Sequence, residues 1–391
     1  MTAGGRARLL AGRPVLHDRC VAAVEQSGRP VVQVVDSLRT GGTERMAVDL
    51  SNLLADRGWQ VHLVATREGG PLLDDVGPGV VLHQLARRSR WDLDGLRRFR
   101  RLLADLQPVA VHTHGWSSLQ FASAALVGRR RVPPIVHHDH GAARYRRRPR
   151  LFKLVAWPFV RAHLAVSRSL LDPPLVTRRP AFAEVVVNGI PLDRIAPKVE
   201  WDRSDPARLV CVGNLRQQKD PLGTIRAIEI LRDRGHQVTL DVIGATPEPE
   251  LEAACREAAA RLGPDVIRFL GRQPDVGQRL RDYDLGVIGS RTESGPIALI
   301  EYLAAGLPFV ATAVGEVVAE LPPDLARWTV PPSDPVGLAD RIGEALALGE
   351  AERMALSERA REVAGGLSMD RVGDVVEGVY ERLAAADRRA R

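Results

Sequence analysis

The segment Glu293-Ser294-Gly295-Pro296-Ile297-Ala298-Leu299-Ile300-Glu301, continuing through Tyr302-Leu303-Ala304-Ala305-Gly306-Leu307-Pro308, decides how this sequence is read. It follows an apolar run, Leu285 to Ile288, that reads as a buried strand. Pro296 suits the first turn of a helix, with Ser294 or Gly295 as its cap. Gly306 and Pro308 are stop signals, and Phe309 to Thr312 begins the next strand. A helix so placed leaves the N–H groups of Ile297, Ala298 and Leu299 without helical partners, aimed at whatever lies above the strand ends, which suits phosphate. Glu293 stands in the loop before the helix. Glu301 falls in its second turn among apolar neighbours, where a carboxylate is costly unless it is paired or binds a ligand. Two carboxylates flanking an anion-binding helix end suit a diphosphate held between two hydroxyl-rich sugars. The segment alone also fits a packed helix with two solvated or salt-bridged glutamates.

The rest of the chain supplies the context. At 391 residues it exceeds one ordinary domain, and two α/β domains of similar size are expected. Strand-like runs alternate with helical patterns from residue 31 onward, the signature of parallel sheets covered by helices. In the first half the strands are expected at 31–36, 61–65, 109–112, 135–138, 163–166 and 184–187, with helices at 44–57, 93–106, 117–127 and 151–161. The second set of strands is expected at 209–212, 238–243, 266–270, 284–288, 309–311 and 328–330, with closing helices at 335–348, 351–363 and 369–385. The reading is an N-terminal extension over 1–28, a first domain over 29–190, a polar Pro-containing linker over 191–206, and a second domain over 207–368. A last helix, 369–391, packs back on the first domain. Two doubly wound domains facing one another place their strand carboxyl ends, and hence ligands, in the cleft between them.

Charge and composition narrow the partners. The net charge of +7 is mostly arginine spread along the chain, with one dense cluster at Arg144, Arg146, Arg147, Arg148 and Arg150. Zinc-finger spacing and aromatic platforms are missing, so nucleic acid is not expected. The cluster runs into Leu151-Phe152-Lys153-Leu154-Val155-Ala156-Trp157, a pattern that fits either a solvated basic loop entering a packed helix or a peripheral membrane contact through 144–157. The sequence has no apolar run approaching the roughly 20 residues of a membrane helix. Cys20, Cys211 and Cys255 lack metal or redox spacing and read as free thiols of a reducing cytoplasm. The expected location is cytoplasmic, with a peripheral position on the inner face of the membrane left open.

Several constellations fall at the expected cleft. Asp36-Ser37-Leu38-Arg39-Thr40-Gly41-Gly42-Thr43-Glu44 joins the first strand to its helix, and paired glycines let backbone approach a ligand. The dinucleotide pattern of three glycines is missing, which disfavours NAD. His112-Thr113-His114 and His137-His138-Asp139-His140-Gly141 each follow a strand. Without a carboxylate at helical spacing they read as structural or substrate-contacting histidines rather than metal ligands. Asp282-Tyr283-Asp284 has metal-site spacing but runs straight into a strand, so helix-end solvation is the expected role. Gly213-Asn214-Leu215-Arg216-Gln217-Gln218-Lys219 aims two cations from a strand end into the cleft, where a diphosphate leaving group needs them.

Taken in order, Gly41-Gly42-Thr43-Glu44, Val111-His112-Thr113-His114, His140-Gly141, Ala165-Val166-Ser167, Val187-Asn188-Gly189-Ile190, Gly213-Asn214-Leu215 through Lys219, and Glu293 to Glu301 resemble a known family. This is the large family of retaining, nucleotide-sugar-dependent glycosyltransferases of the GT-B fold, glycosyltransferase family four. The likeness spans roughly residues 30–385, and its most specific part is the E-x7-E element followed by Ala-Ala-Gly-Leu-Pro. It implies an α/β GT-B architecture of two Rossmann-like domains, with a UDP- or GDP-sugar as donor. The acceptor is a natural product, a cell-wall glycan or a lipid, and neither cofactor nor metal is expected.

Carried over by position, the resemblance implies that Glu301 binds ribose hydroxyls and Glu293 the hydroxyls of the donor sugar. Backbone from Ser294 through Gly295, Ile297, Ala298 and Leu299 holds the diphosphate. Lys219 neutralises the departing phosphate, with Gly41, Gly42 and Gly213 close by, and Arg272 and Gln273 contact the base. His140 lies near the anomeric carbon and His114 on the acceptor side. Asn214 stands where the family commonly has Arg, and Gly295-Pro296 where it has Phe-Gly. The first change makes Arg216 the expected second cation, and the second removes one N–H donor. An epimerase or phosphorylase on the same architecture, or a silent sugar-nucleotide-binding module, are the alternatives. Turnover without acceptor, dependence on inorganic phosphate, and binding without turnover distinguish them.

Overall fold

The computed structural model describes residues 29–67, 69–89, 92–141, 156–171, 180–202 and 204–390. The first domain is built on seven parallel strands: β1 (Pro30–Val35), β2 (Gln60–Ala65), β3 (Val80–Gln84), β4 (Val111–His114), β5 (Ile135–Asp139), β6 (Val160–Ala165) and β7 (Phe182–Val185). Their order is β3-β2-β1-β4-β5-β6-β7. The second domain has six: β8 (Ala207–Val212), β9 (Val238–Ile243), β10 (Ile267–Gly271), β11 (Leu285–Ile288), β12 (Phe309–Thr312) and β13 (Thr329–Val330), in the order β10-β9-β8-β11-β12-β13. In each sheet the order reverses beside the first strand, at β1/β4 and at β8/β11, which opens a crevice at the strand carboxyl ends. Strands such as Val31–Val35 and Leu285–Ile288 are buried along nearly their whole length because helices cover both faces.

The longer helices are α1 (Gly42–Asp56), α2 (Leu93–Leu106), α3 (Gly115–Leu126), α4 (Pro221–Asp233), α5 (Pro249–Ala260), α6 (Ile297–Ala305), α7 (Pro335–Ala347), α8 (Glu350–Gly365) and α9 (Met369–Ala390). Their ends follow from local chemistry. The Asp92, Asp220 and Asp334 carboxylates accept from Gly95, Gly223 and Gly337 N–H, and Pro221 and Pro335 open their helices. Gly306 closes α6 in the left-handed region at φ 65°, with its N–H on the Leu303 and Tyr302 carbonyls.

Helix α9 returns to the first domain. Met369, Val372, Val376, Val379, Tyr380 and Leu383 share a core with Met46, Ala47, Leu50 and Leu54 of α1. Arg57 bonds to Asp370 and Asp374 at 2.9 and 2.8 Å, and Trp59 Nε1 donates to Glu377 at 2.7 Å. The chain thus passes between domains twice, and the two passages are stitched together. Ile190 N–H donates to Leu367 at 3.1 Å, and Met369 N–H donates to Ile190 at 2.8 Å.

Two sequence expectations need correction. Strand β3 was not anticipated: only Val80 of it is buried, so it lacks the apolar run that marked the others. The helix expected over 151–161 does not reach its end. Trp157–Phe159 forms a 3-10 turn around Pro158, and Val160 already belongs to β6. Residues 144–155 of the basic and apolar segment lie outside the described residues. Trp157, its aromatic anchor in a membrane reading, is 3% exposed and stacks on Trp116 at 6.1 Å, so it is unavailable to lipid.

Candidate active site

Helix α6 sits beneath the cleft as the sequence implied, held by Tyr302. The Tyr302 hydroxyl donates to Val210 at 3.2 Å and accepts from Val212 N–H at 2.9 Å, fixing the helix against β8. The helix starts one residue later than expected. Pro296 is its cap rather than its first residue, and Leu299 N–H donates to the Pro296 carbonyl at 3.1 Å. Leu299 is therefore no longer free for an anion. Among the described residues, the N–H groups of Ile297 and Ala298 keep no backbone partner and remain at the helix end. Gly42 at the start of α1 faces them from the other domain. A Cβ there would lie 3.3 Å from Ile297 Cδ1, so the glycine permits the two helix ends to approach.

Lys219 and Glu293 meet directly. The Lys219 ammonium donates to Glu293 Oε1, which also accepts from Ser290 Oγ at 2.8 Å. The Lys219 stem lies along Gly213, whose added Cβ would be 3.6 Å from Lys219 Cε. A narrow cavity beside them is bounded by Gly213, Asn214, Lys219, Ser290, Pro296 and Ala298. A larger cavity of about 380 Å³ opens elsewhere, near Arg168, Glu184, Val317 and Arg371, and neither Glu293 nor Glu301 lines it. Glu301 points to the cleft, where burial raises its carboxyl to about 7. Arg45 and Lys219 oppose that rise, while Asp49 adds to it. Arg45 itself pairs with Asp75 at 3.1 Å.

The remaining loop residues hold the domains together. Asn214 Nδ2 donates to the Thr40 carbonyl at 3.0 Å across the cleft, and its Oδ1 accepts from Ala245 N–H at 2.9 Å. Arg216 is exposed and faces Glu44, whose burial raises its carboxyl despite that cation. The Glu44 carboxylate folds back over Gly41, so a side chain there would have to displace it. Arg272 donates to the Pro71 carbonyl at 3.3 Å, and Gln273 Nε2 to Leu270 in its own loop at 2.7 Å. Ser294 Oγ donates to Gly141 at 3.0 Å, and Asn188 Nδ2 donates to Gly295 at 2.7 Å. The structure thus gathers Lys219, Glu293, Ser294 and the N-terminus of α6, sets Arg216 at the rim, and spends the side chain of Asn214 on other contacts.

The histidines sort by strand geometry. His114 lies opposite His138, so His112, His114, His138 and His140 share one face of the sheet, while His137 and His163 lie on the other. His114 Nδ1 is 3.1 Å from His140 Nε2, and His114 Nε2 is 2.8 Å from Gln33 Oε1. Burial, and secondarily the neighbouring imidazoles, hold His112, His114, His137, His138 and His140 well below the ordinary range, hence neutral. Two groups bring ligand atoms within 4.8 Å of one another: His112, His114 and His138, and His137, Asp139 and His163. In the first, an ion would have to displace a bond that His114 already makes. Asp284 accepts from Arg208 N–H at 2.7 Å and Tyr283 donates to Asp241 at 2.8 Å, a structural use of that triplet.

Sequence reasoning assigned no role to Asn188, Arg45, Ser290 or Tyr380. Asn188 lies in the Val187-Asn188-Gly189-Ile190 motif, and Ser290 lies three residues before Glu293. Nothing local signals Tyr380, which meets Gln33 across 347 positions.

Comparisons with known proteins identify the family. Two family models match side by side, Glycosyltransferase Family 4 over residues 40–194 and Glycosyl transferases group 1 over residues 194–363. The D-inositol 3-phosphate glycosyltransferase of Xylanimonas cellulosilytica is 27% identical over 390 residues, covering 87% of this chain and 91% of that one. The UDP-Gal:alpha-D-GlcNAc-diphosphoundecaprenol alpha-1,3-galactosyltransferase of Escherichia coli is 25% identical over 301 residues, 70% of this chain and 76% of that one. Anabaena HepE, solved with UDP and glucose, superposes with a TM-score of 0.75 at 17% identity, covering 90% of this chain and 99% of that one. The chain therefore belongs to glycosyltransferase family four, sugar-nucleotide-dependent transferases of the GT-B fold.

Proposed function

We propose that this protein is a retaining, metal-independent hexosyltransferase that moves a sugar from a UDP- or GDP-hexose to an acceptor hydroxyl. The acceptor classes that fit are a natural product, a cell-wall glycan and a lipid. The observation that carries the reading is the Lys219–Glu293 pair beside the N-terminus of α6, with Glu301 on the same helix. One cation, two free N–H groups and two carboxylates match a diphosphate between two polyols in charge and in donor–acceptor sense. The relative and the neighbour whose names carry UDP-Gal and UDP with glucose favour the uridine donor.

In this reading the bond between the anomeric carbon and the diphosphate oxygen breaks first. Lys219 and the Ile297 and Ala298 N–H groups stabilise the developing phosphate charge. The acceptor oxygen then bonds to the anomeric carbon on the same face, and its proton passes to the departing phosphate oxygen. Glu293 orients sugar hydroxyls and forms no bond to carbon, unlike the nucleophile of a retaining glycosidase. The test is a turnover assay with UDP- and GDP-hexoses in EDTA, followed by proton NMR of the glycoside. Turnover that survives chelation and an anomeric coupling matching the donor are expected. Loss of activity restored by manganese or magnesium, or an inverted product, would overturn the corresponding part.

A further inference from the structure

Four strand ends of the first domain converge on one carboxylate. Asp36 follows β1, Thr66 and Arg67 follow β2, Arg87 comes after β3, and Ser117 stands in the first turn of α3 after β4. Asp36 Oδ1 accepts from Thr66 Oγ1 and Ser117 Oγ, each at 3.0 Å, and from the Arg87 guanidinium. Arg87 is itself pinned. Its side chain is 2% exposed, its Nε donates to Thr66 Oγ1 at 2.9 Å, and its Nη2 donates to Ser117 Oγ at 2.7 Å. Asp36 Oδ2 is held differently. Its side-chain partner among the described residues is Arg67 Nε at 3.1 Å, and the Arg67 side chain is 50% exposed. Burial alone would raise the Asp36 carboxyl, yet Arg87 and then Arg67 hold it below the ordinary range, so it is ionised.

We propose that Asp36 and Arg67 are the acceptor-binding pair of the first domain and select an acceptor with a vicinal diol, a sugar or cyclitol, while Arg87, Thr66 and Ser117 are positioning residues for Asp36. This names the acceptor class for the reaction proposed above and rests on that reading. The pair stands at the β1/β4 reversal of strand order, where sheets of this kind take their ligands. Asp36 also acts electrostatically on Glu44, the carboxylate that faces Arg216 of the second domain, so it belongs to the cleft side of the sheet. Oδ2 has room to accept a second proton, and Arg67 carries two Nη nitrogens beyond its bonded Nε. A hydroxyl both donates and accepts. Two adjacent hydroxyls can therefore give one proton to Oδ2 and take another from Nη, matching the pair on both sides. A lone phenol or alkanol hydroxyl serves one member and leaves the other desolvated without a partner, so the site discriminates against it.

The experiment is saturation-transfer difference NMR on the full-length protein, with UDP and separately with GDP present. The probes are methyl α-glucoside, methyl α-mannoside and methyl β-N-acetylglucosaminide, each with a vicinal diol, and p-cresol, with a single hydroxyl. Ring protons of at least one glycoside should receive saturation, and p-cresol should receive none. Asp36→Asn and Arg67→Met should each weaken that glycoside by about tenfold or more, the loss expected for one hydrogen bond to a charged group. Ser117→Ala should weaken it as well, and Ser117→Thr, which keeps a hydroxyl, should restore it. The half-exposed Arg67 can be replaced without opening the core, so Arg67→Met carries the test even if Asp36→Asn does not fold. Saturation of p-cresol in place of the glycosides, no glycoside signal at all, or a glycoside signal indifferent to Arg67→Met overturns the proposal; in the last case the probe sits in the donor-sugar site. Binding is read without turnover, so failure of the glycosyltransfer reading is seen separately in the turnover assay.

Discussion

Lys219 and Glu293 share a hydrogen bond within the cleft, and Glu293 is the more enclosed partner, with 10% of its side chain exposed against 27% for Lys219. Removing the lysine leaves the carboxylate, among the described residues, with Ser290 as its remaining side-chain donor, whereas Glu293→Gln preserves shape and an acceptor. Lys219→Ala should therefore lower turnover at saturating donor by about 10²–10³, the range for loss of one group that stabilises developing charge. It should also lower Tm. Glu293→Gln should lose turnover with little change in Tm. Initial rates and thermal melts check both, and near-wild-type turnover in Lys219→Ala would remove it from the leaving-group role.

Glu301 should give nucleotide binding a pH dependence. Burial raises its carboxyl from 4.5 to about 7, so between those values the folded protein holds a proton that the unfolded chain has released. The advantage of the neutral folded form is complete below 4.5 and lost as pH rises to 7. Glu301→Gln should consequently melt above the wild type at pH 8, with the gap closing near pH 4.5. Accepting from two ribose hydroxyls at once, one on each oxygen, requires the ionised form. UDP affinity of the wild type should weaken about tenfold from pH 8 to pH 6, as the ionised fraction falls, while the Gln variant stays flat. Calorimetry at three pH values decides it.

Arg216 and Asn214 divide the work differently from the sequence expectation. Asn214 spends both ends of its amide on Thr40 and Ala245, so Asn214→Ala should cost about 1–3 kcal/mol of stability. Among the described residues Arg216 forms no ion pair, and Glu44 is the carboxylate it influences. Arg216→Ala should leave Tm unchanged and lower turnover less than Lys219→Ala does. Equal losses in the two would make Arg216 a full second cation on the phosphate.

Much of this was legible in the sequence because parallel α/β folds write their strands as continuous apolar runs. Val238–Ile243 and the helix Leu93–Leu106 were placed to the residue. Strand β3 was invisible because it is an edge strand with one buried position, and period or burial signals need more. The functional helix was located, yet its cap was misplaced by one residue. That shift matters chemically, since it takes Leu299 N–H out of reach of an anion. Contacts such as Gln33 with Tyr380, or Asn214 with Thr40, depend on the docking of distant elements, which no local pattern encodes.

The two domains also meet through Gly141 and Ser294, and this contact can be tested by crowding it. Gly141 has φ 61°, and a Cβ there would lie 2.2 Å from Ser294 Oγ and 3.1 Å from Ser294 Cβ. An alanine must therefore strain its own backbone and push the loop before α6 away from the first domain. That loop carries Glu293 on one side and the α6 N-terminus on the other, so the displacement reaches the groups that face the donor. Gly141→Ala should enlarge the radius of gyration in small-angle scattering and lower turnover by about 10². Adding Ser294→Gly removes the clash with the loop before α6 but leaves the backbone strain and a Leu170 Cδ1 contact at 2.9 Å, which the first domain must absorb. The double variant should regain the compact profile while keeping a Tm deficit of about 1 kcal/mol equivalent. If Gly141→Ala scattered like the wild type, the loops of the two domains would not be in contact in solution, and the cleft would be open at this end.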